Sequence, residues 1–433
     1  MARKMKDSGI EWIGEIPEGW EVIPAKFLFK NSDIRRIADD EQLTSSQQFG
    51  IISQKDYTEL TGSKVVLANK GLADWKHVEP FDFIISLRSF QGGLEMSEIT
   101  GCITWHYIIL KPCHKICSYY YKWLFKSDSY IRALQRTCSF IRDGQDLRYS
   151  NFIQVPLFEP PLAEQKKIAD YLNGECFRTD AMLTKTRASI EEYKKLKQAI
   201  ITQAVTKGVR GEREMKPTGF TRWSEIPFDW DLKRVKSCVA SISSGLSAVT
   251  DDANSEESGK FVLRTSAVSS GFFVPTEAKP VLKSAVNRLI CPVEPDTLIV
   301  SRMNTASMVG ACAYVANNHP NTFLPDKLWK IKFLPNYHTK YMWYALNSVP
   351  AKSWFSELAT GASSSMQNIS INDFTSNYLP IPAFSEQKEI ADCLDAKCAE
   401  IDGLIAKKEQ LVKELESYKK SLIYEVVTGK REV

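Results

Sequence analysis

A chain of 433 residues that is 43% hydrophobic, 25% charged and 11% aromatic has the balance of a folded protein of two or three domains, which excludes a disordered or fibrous chain. The formal net charge of +4 is too mild for a protein that grips nucleic acid by charge alone. The basic start (Arg3, Lys4, Lys6) leads into no apolar run, and nothing approaches the roughly 20 apolar residues of a membrane span, so a cytoplasmic protein without membrane contact is expected.

In chain order, the first landmark is Trp12-Ile13-Gly14-Glu15-Ile16-Pro17-Glu18-Gly19-Trp20. Short strands are expected at 50–53, 64–68, 83–87 and 103–110, then helices at 118–127 and 128–136. The run Asp82-Phe83-Ile84-Ile85-Ser86 follows Val78-Glu79-Pro80, as a buried strand follows a turn. Ten scattered cysteines fit free thiols in a reducing compartment, and His106, Cys113, His114 and Cys117 have no zinc-finger spacing.

From Leu162-Ala163-Glu164-Gln165-Lys166-Lys167-Ile168-Ala169-Asp170-Tyr171-Leu172 the pattern becomes helical, bounded by Pro160 and Pro161 before it and Gly208 after it. The string returns as Phe384-Ser385-Glu386-Gln387-Lys388-Glu389-Ile390-Ala391-Asp392-Cys393-Leu394, and the register then holds without a gap to Val427-Thr428, so the chain is internally duplicated. Each helix would be roughly 60 Å long. Alternating steps of four and three from Leu172 reach Cys176, Thr179, Leu183, Thr186, Ile190, Tyr193, Lys197, Ile200 and Ala204. From Leu394 they reach Cys398, Ile401, Ile405, Lys408, Val412, Leu415, Lys419, Leu422 and Val426. A mostly apolar seam of this period calls for a coiled-coil partner, and each copy is the natural partner of the other; a homodimeric zipper or two unrelated surface helices are the alternatives.

After a linker at 207–218, Trp223-Ser224-Glu225-Ile226-Pro227-Phe228-Asp229-Trp230 repeats the opening segment. Strands are expected at 261–264, 297–301, 311–315 and 328–333, and helices at 338–347 and 351–360. Val293-Glu294-Pro295 before Thr297-Leu298-Ile299-Val300-Ser301 echoes the first half, as Gln367-Asn368-Ile369 echoes Gln145-Asp146-Leu147. Between these landmarks the halves diverge, as one scaffold carrying two different reading heads would. The expected fold is α/β (mixed α+β), with two similar globular domains joined by two long antiparallel helices in a pseudo-two-fold repeat. The parts are residues 1–158, 159–208, 209–380 and 381–433.

No catalytic constellation is present: there is no phosphate-binding Gly-Lys-Ser/Thr loop, no amino-methyltransferase tetrapeptide, and no aspartate paired with Glu-x-Lys on strands. What the sequence offers is loops of base-reading residue types at matched places. Arg88, Ser89 and Gln91 follow the central strand of the first half, and Arg302 and Asn304 follow that of the second. Arg142 and Gln145, then Ser365 and Gln367, precede the return to the long helices. Arginine, glutamine and asparagine are the side chains that pair with guanine and adenine edges in the major groove. Ordinary solvated loops would show the same residues.

The doubled Trp-x(-x)-Glu-Ile-Pro-x-x-Trp opening and the doubled Pro-x-x-x-Glu-Gln-x-x-Ile-Ala-x-x-Leu closing resemble the specificity subunit of type I restriction-modification systems over nearly the whole chain. Glu164, Gln165, Ile168, Ala169 and Leu172, with Glu386, Gln387, Ile390, Ala391 and Leu394, stand at the family's recurrent positions, and a helix-repeat and partner-docking role is expected for them. The resemblance implies a non-catalytic reader of double-stranded DNA for host defence. Each of its two target recognition domains would address half of a bipartite site, with the helices as a ruler. It also implies two methyltransferase subunits, bringing S-adenosylmethionine, and two motor-endonuclease subunits, bringing ATP and magnesium, with no cofactor or metal in this chain. A DNA-modifying enzyme with an unrecognised motif and a coiled-coil adaptor between proteins are the competing readings.

Overall fold

The computed structural model describes residues 3–63, 71–86, 89–137, 147–247, 257–361 and 366–433. The chain is of mixed α/β type and divides into two compact units, one of residues 1–187 with 409–433, the other of residues 188–408. The expected strand at 64–68 lies outside the described residues. Among those residues no helix is long and apolar enough to cross a membrane.

The long helices span Leu162–Lys207 and Phe384–Val427. Each starts where prolines release the chain and ends at a glycine, Gly208 at φ 80° and Gly429 at φ 70°. The four-three walk is a walk through shelter: Leu172, Cys176, Thr179, Leu183, Ile190, Lys197 and Ala204 are buried on the first helix. Leu394, Cys398, Ile401, Ile405, Leu422 and Val426 are buried on the second. In the first unit Lys419 reaches Asp180 at 2.6 Å and Arg187 reaches Glu416 at 2.5 Å, an antiparallel order. In the second, Lys197 reaches Asp402 at 2.6 Å and Lys408 lies over Tyr193, again antiparallel. Two lysines of the seam, Lys197 and Lys419, are each answered by an aspartate on the facing helix.

The first unit holds a four-stranded antiparallel sheet in the order Phe29–Ser32, Ile108–Pro112, Phe83–Ile85, Glu95–Met96. The second holds its counterpart in the order Val239–Ser244, Leu328–Phe333, Thr297–Ser301, Cys312–Val315. In both, the turn before the central strand places a non-glycine residue in the left-handed region, Phe81 at φ 73° and Asp296 at φ 53°. The preceding glutamates, Glu79 and Glu294, take ammonium groups from the neighbouring strand, Lys111 and Lys330. These hydrogen-bonded ion pairs hold both carboxyls below their usual range. Elsewhere the units part company. The second adds a sheet in the order Ala278–Leu282, Glu257–Leu263, His319–Phe323, Pro292–Val293, with one parallel pair, whereas the described residues of the first form two-stranded ladders there.

One expectation needs correction. The single strand at 103–110 is two strands, Gly101–Ile103 and Ile108–Pro112, because Tyr107 closes a turn onto Thr104 and the pieces pair in different sheets. Within the linker at 207–218, Met215–Pro217 pairs with Glu225–Pro227, and Arg210 and Arg213 reach Glu389 and Glu386.

The glycine ends carry a testable constraint. A Cβ on Gly208 would stand 3.1 Å from Glu386 Oε1 and 3.3 Å from the Trp230 ring, in a backbone conformation that L-residues resist. Gly208→Ala should cost about 1–2 kcal/mol or more of stability, read by denaturant unfolding, while alanine at the open, right-handed Gly403 should raise stability instead.

Candidate nucleic-acid interface

The repeated Glu-Gln pair works inside each unit. Glu164 accepts the Trp20 indole N–H at 2.9 Å and pairs with Arg3, whose guanidinium lies over that indole. Gln165 accepts the backbone N–H of Cys117, ahead of the helix Ser118–Lys126, and donates to Pro160 O, both at 2.8 Å. In the second unit Glu386 accepts the Trp230 indole at 3.1 Å and pairs with Arg213, which lies over Trp230. Gln387 accepts His338 N–H at 2.8 Å and donates to Pro382 O at 2.9 Å. Ile168, Ala169 and Leu172 join one hydrophobic core with Trp20; Ile390, Ala391 and Leu394 join the other with Trp230. A partner-docking role for these residues is therefore corrected. Nine of the ten are buried and the tenth, Glu164, is half-buried and engaged, so their task is to bind each helix to its own domain.

Arg302, Asn304 and Gln367 lie at one end of the second unit's four-stranded sheet. In the second unit Ser301 pairs with Leu328 and Ser244 with Trp329, so three strands finish together. The chain then turns through Arg302 into Met303–Asn304, which pairs antiparallel with Gln367–Asn368. Two loops separated by more than sixty residues in sequence thus form one ribbon. Arg302 donates from Nε to Asn368 Oδ1 at 3.4 Å and lies over the Trp329 ring at 6.0 Å. Asn304 spends its amide internally, donating to Ser269 Oγ at 3.0 Å and accepting Thr305 N–H at 2.9 Å, which leaves it unsuited to a bidentate adenine contact. Gln367 makes a long contact of 3.5 Å to Gly361 O. Ser365 lies outside the described residues. Exposed Lys327, whose carbonyl accepts Arg302 N–H, stands at the same strand ends; its signal in the sequence is only a turn between two strands.

In the first unit the expected loop 88–93 is a helical turn, Ser89–Gly92. Ser89 is not a surface reader: it is buried, and its hydroxyl accepts Ser86 N–H at 2.8 Å. Gly93, at φ 78°, passes so close to the end of the next helix that a Cβ would fall 2.1 Å from Phe125 O. Arg88, Arg142 and Gln145 lie outside the described residues, as does the side chain of Gln91. Beside this turn opens a cavity of about 350 Å³ lined by Ser45, Ser46, Gln47, Gln48, Tyr107 and Glu95, among others. Burial raises the Glu95 carboxyl above its usual range against the pull of Lys126, and burial also keeps the Tyr107 phenol protonated. Sequence reasoning passed over these residues.

Residues 227–414 match the family described as the type I restriction modification DNA specificity domain. In sequence the chain is similar to type I restriction enzyme specificity subunits. The EcoKI specificity subunit of Escherichia coli K12 is 21% identical over 401 residues, covering 87% of this chain and 82% of that one. The HsdS subunit of Thermoanaerobacter tengcongensis shares the fold at a TM-score of 0.51 and 14% identity, over 96% of this chain and 98% of its own. A chain from a structure described as showing complex assembly and conformational transition of the type I R-M system gives 0.67 and 13%, over 95% and 98%.

In a specificity subunit the two kinds of residue at these strand ends should separate by experiment. Lys327→Ala should weaken DNA retention uniformly across sequences and reduce the salt slope by about one. Ser89→Ala should lower stability by about 1 kcal/mol in denaturant titration and leave the recognised sequence intact, because it removes the acceptor of the part-buried Ser86 N–H.

Proposed function

We propose that this specificity subunit recognises a bipartite DNA sequence without catalysing any step itself, one half-site being read by each unit. The strand ends and their loops do the reading, and helix length sets the unspecified spacer. The carrying observation is the contrast within each unit. The Trp-Glu-Arg contact, the glutamine bridge, the central sheet and the Lys-Asp seam pair recur in both. Among the described residues the accessory strands do not recur. A constant frame with divergent tips is what two different half-sites on one scaffold require.

Two methyltransferase subunits docking on the helices, and two motor-endonuclease subunits beyond them, complete the proposed complex. S-adenosylmethionine, ATP and magnesium belong to those partners, and the mild net charge of +4 supports shared DNA contact. Exposed Phe177, Met182, Leu411 and Tyr418 along the helices of the first unit offer apolar surface for such docking.

Inserting two helical turns within residues 181–203, matched on the antiparallel helix, should lengthen the spacer and leave both half-sites unchanged. Methylome sequencing of a host carrying the chain with its partner subunits reads this directly, and altered half-sites would refute the ruler. Replacing residues 20–155 by the first domain of another specificity subunit should change one half-site only; a change in both would refute the two-reader reading.

A further inference from the structure

The cavity beside Ser89–Gly92 has a built floor. Glu95 sits on the edge strand Glu95–Met96, paired with Ile84, so its position is fixed by the sheet rather than by a loop. Its side chain is 9% exposed. Oε1 is held by Lys126, which also donates to Gly92 O at 3.0 Å and so ties the carboxylate to the helical turn. Oε2 makes no hydrogen bond among the described residues and lies beside Gly50, where a Cβ would stand 3.8 Å away. Taking a carboxylate out of water is costly unless its acceptor sites are filled, and here one cation fills one oxygen only. Glu95 lines a space of about 350 Å³ that it shares with uncharged residues, Ser46, Gln48 and Tyr107 among them.

We propose that Glu95 determines specificity in the first unit by accepting a hydrogen bond from the exocyclic amino group of a base in the major groove, an inference that rests on the DNA-reading function above. Among major-groove edges only adenine N6 and cytosine N4 carry such a donor, while guanine and thymine present oxygens that a carboxylate repels. Lys126 acts as a positioning residue, fixing one carboxylate oxygen so that the other is aimed and pre-paid in rotamer entropy.

The test uses the full chain assembled with its methyltransferase partner and a pool of duplex DNA randomised across both half-sites. Wild-type chain should enrich one bipartite sequence, with adenine or cytosine at the Glu95 position. Glu95→Gln, close in size but able to donate as well as accept, should relax that single position by roughly 5- to 150-fold and leave the other half-site untouched. The same sequence enriched with equal stringency would overturn the proposal, as would a change in both half-sites. A second arm needs no variant: wild-type chain is offered duplexes in which each adenine or cytosine of that half-site is replaced, one at a time, by an analogue lacking the amino group. One such deletion should weaken binding by a similar factor; if none does, Glu95 reads no amine. Failure of wild-type chain to enrich any sequence would instead remove the DNA-reading function on which the proposal stands.

Discussion

An indole N–H held by a carboxylate, with a guanidinium laid over the same indole, is the contact on which each unit depends. Trp20, Glu164 and Arg3 make it once, and Trp230, Glu386 and Arg213 make it again. The glutamate stands in the first turn of its long helix, where the exposed backbone N–H groups favour negative charge. Hydrogen bonds to a charged group are worth about 1.5–3 kcal/mol, and removing one partner leaves a charge uncompensated at a half-buried or buried site. The adjacent glutamine ties the domain's own helix to the same corner, and the glycine that ends the opposite helix packs against the same tryptophan. One corner thus joins the start of one long helix, the end of the other and the globular domain.

The helix pair gains its register from polar groups more than from apolar ones. An apolar stripe slides at little cost, but Lys197 and Lys419 are satisfied only opposite Asp402 and Asp180. Shifting the register would strip both lysines of their aspartates, at a greater cost for buried Lys197 than for half-exposed Lys419, so the two pairs favour one alignment in the manner of polar residues in coiled-coil seams. Lys197 is shielded further by the Phe272 ring, 4.6 Å away, which links the seam to the second domain.

The central sheets are alike in the two units while the strands around them differ. The central strands must match because their buried faces meet the common core, whereas residues at the strand tips answer only to their local neighbours and to what they bind. The same logic explains why the first unit carries two-stranded ladders where the second carries a four-stranded sheet with a parallel pair.

Periodicity and repetition in the sequence determined the two long helices, their seam positions, the doubled opening segment and the central strands, because these rest on local spacing and on apolar faces that must be buried. Side-chain roles were another matter. Ser89 and Asn304 have the composition of readers, yet burial and internal hydrogen bonds commit them to the fold. Glu164 and Glu386 look like solvated helix starts, and only the tertiary structure brings them to their tryptophans. Pairing of Met303–Asn304 with Gln367–Asn368, and the arrival of Glu95 at the floor of a cavity, were decided by contacts between distant segments. A linear pattern records which face of an element is apolar; it does not record which polar group meets which across the fold, since that depends on the geometry of packing.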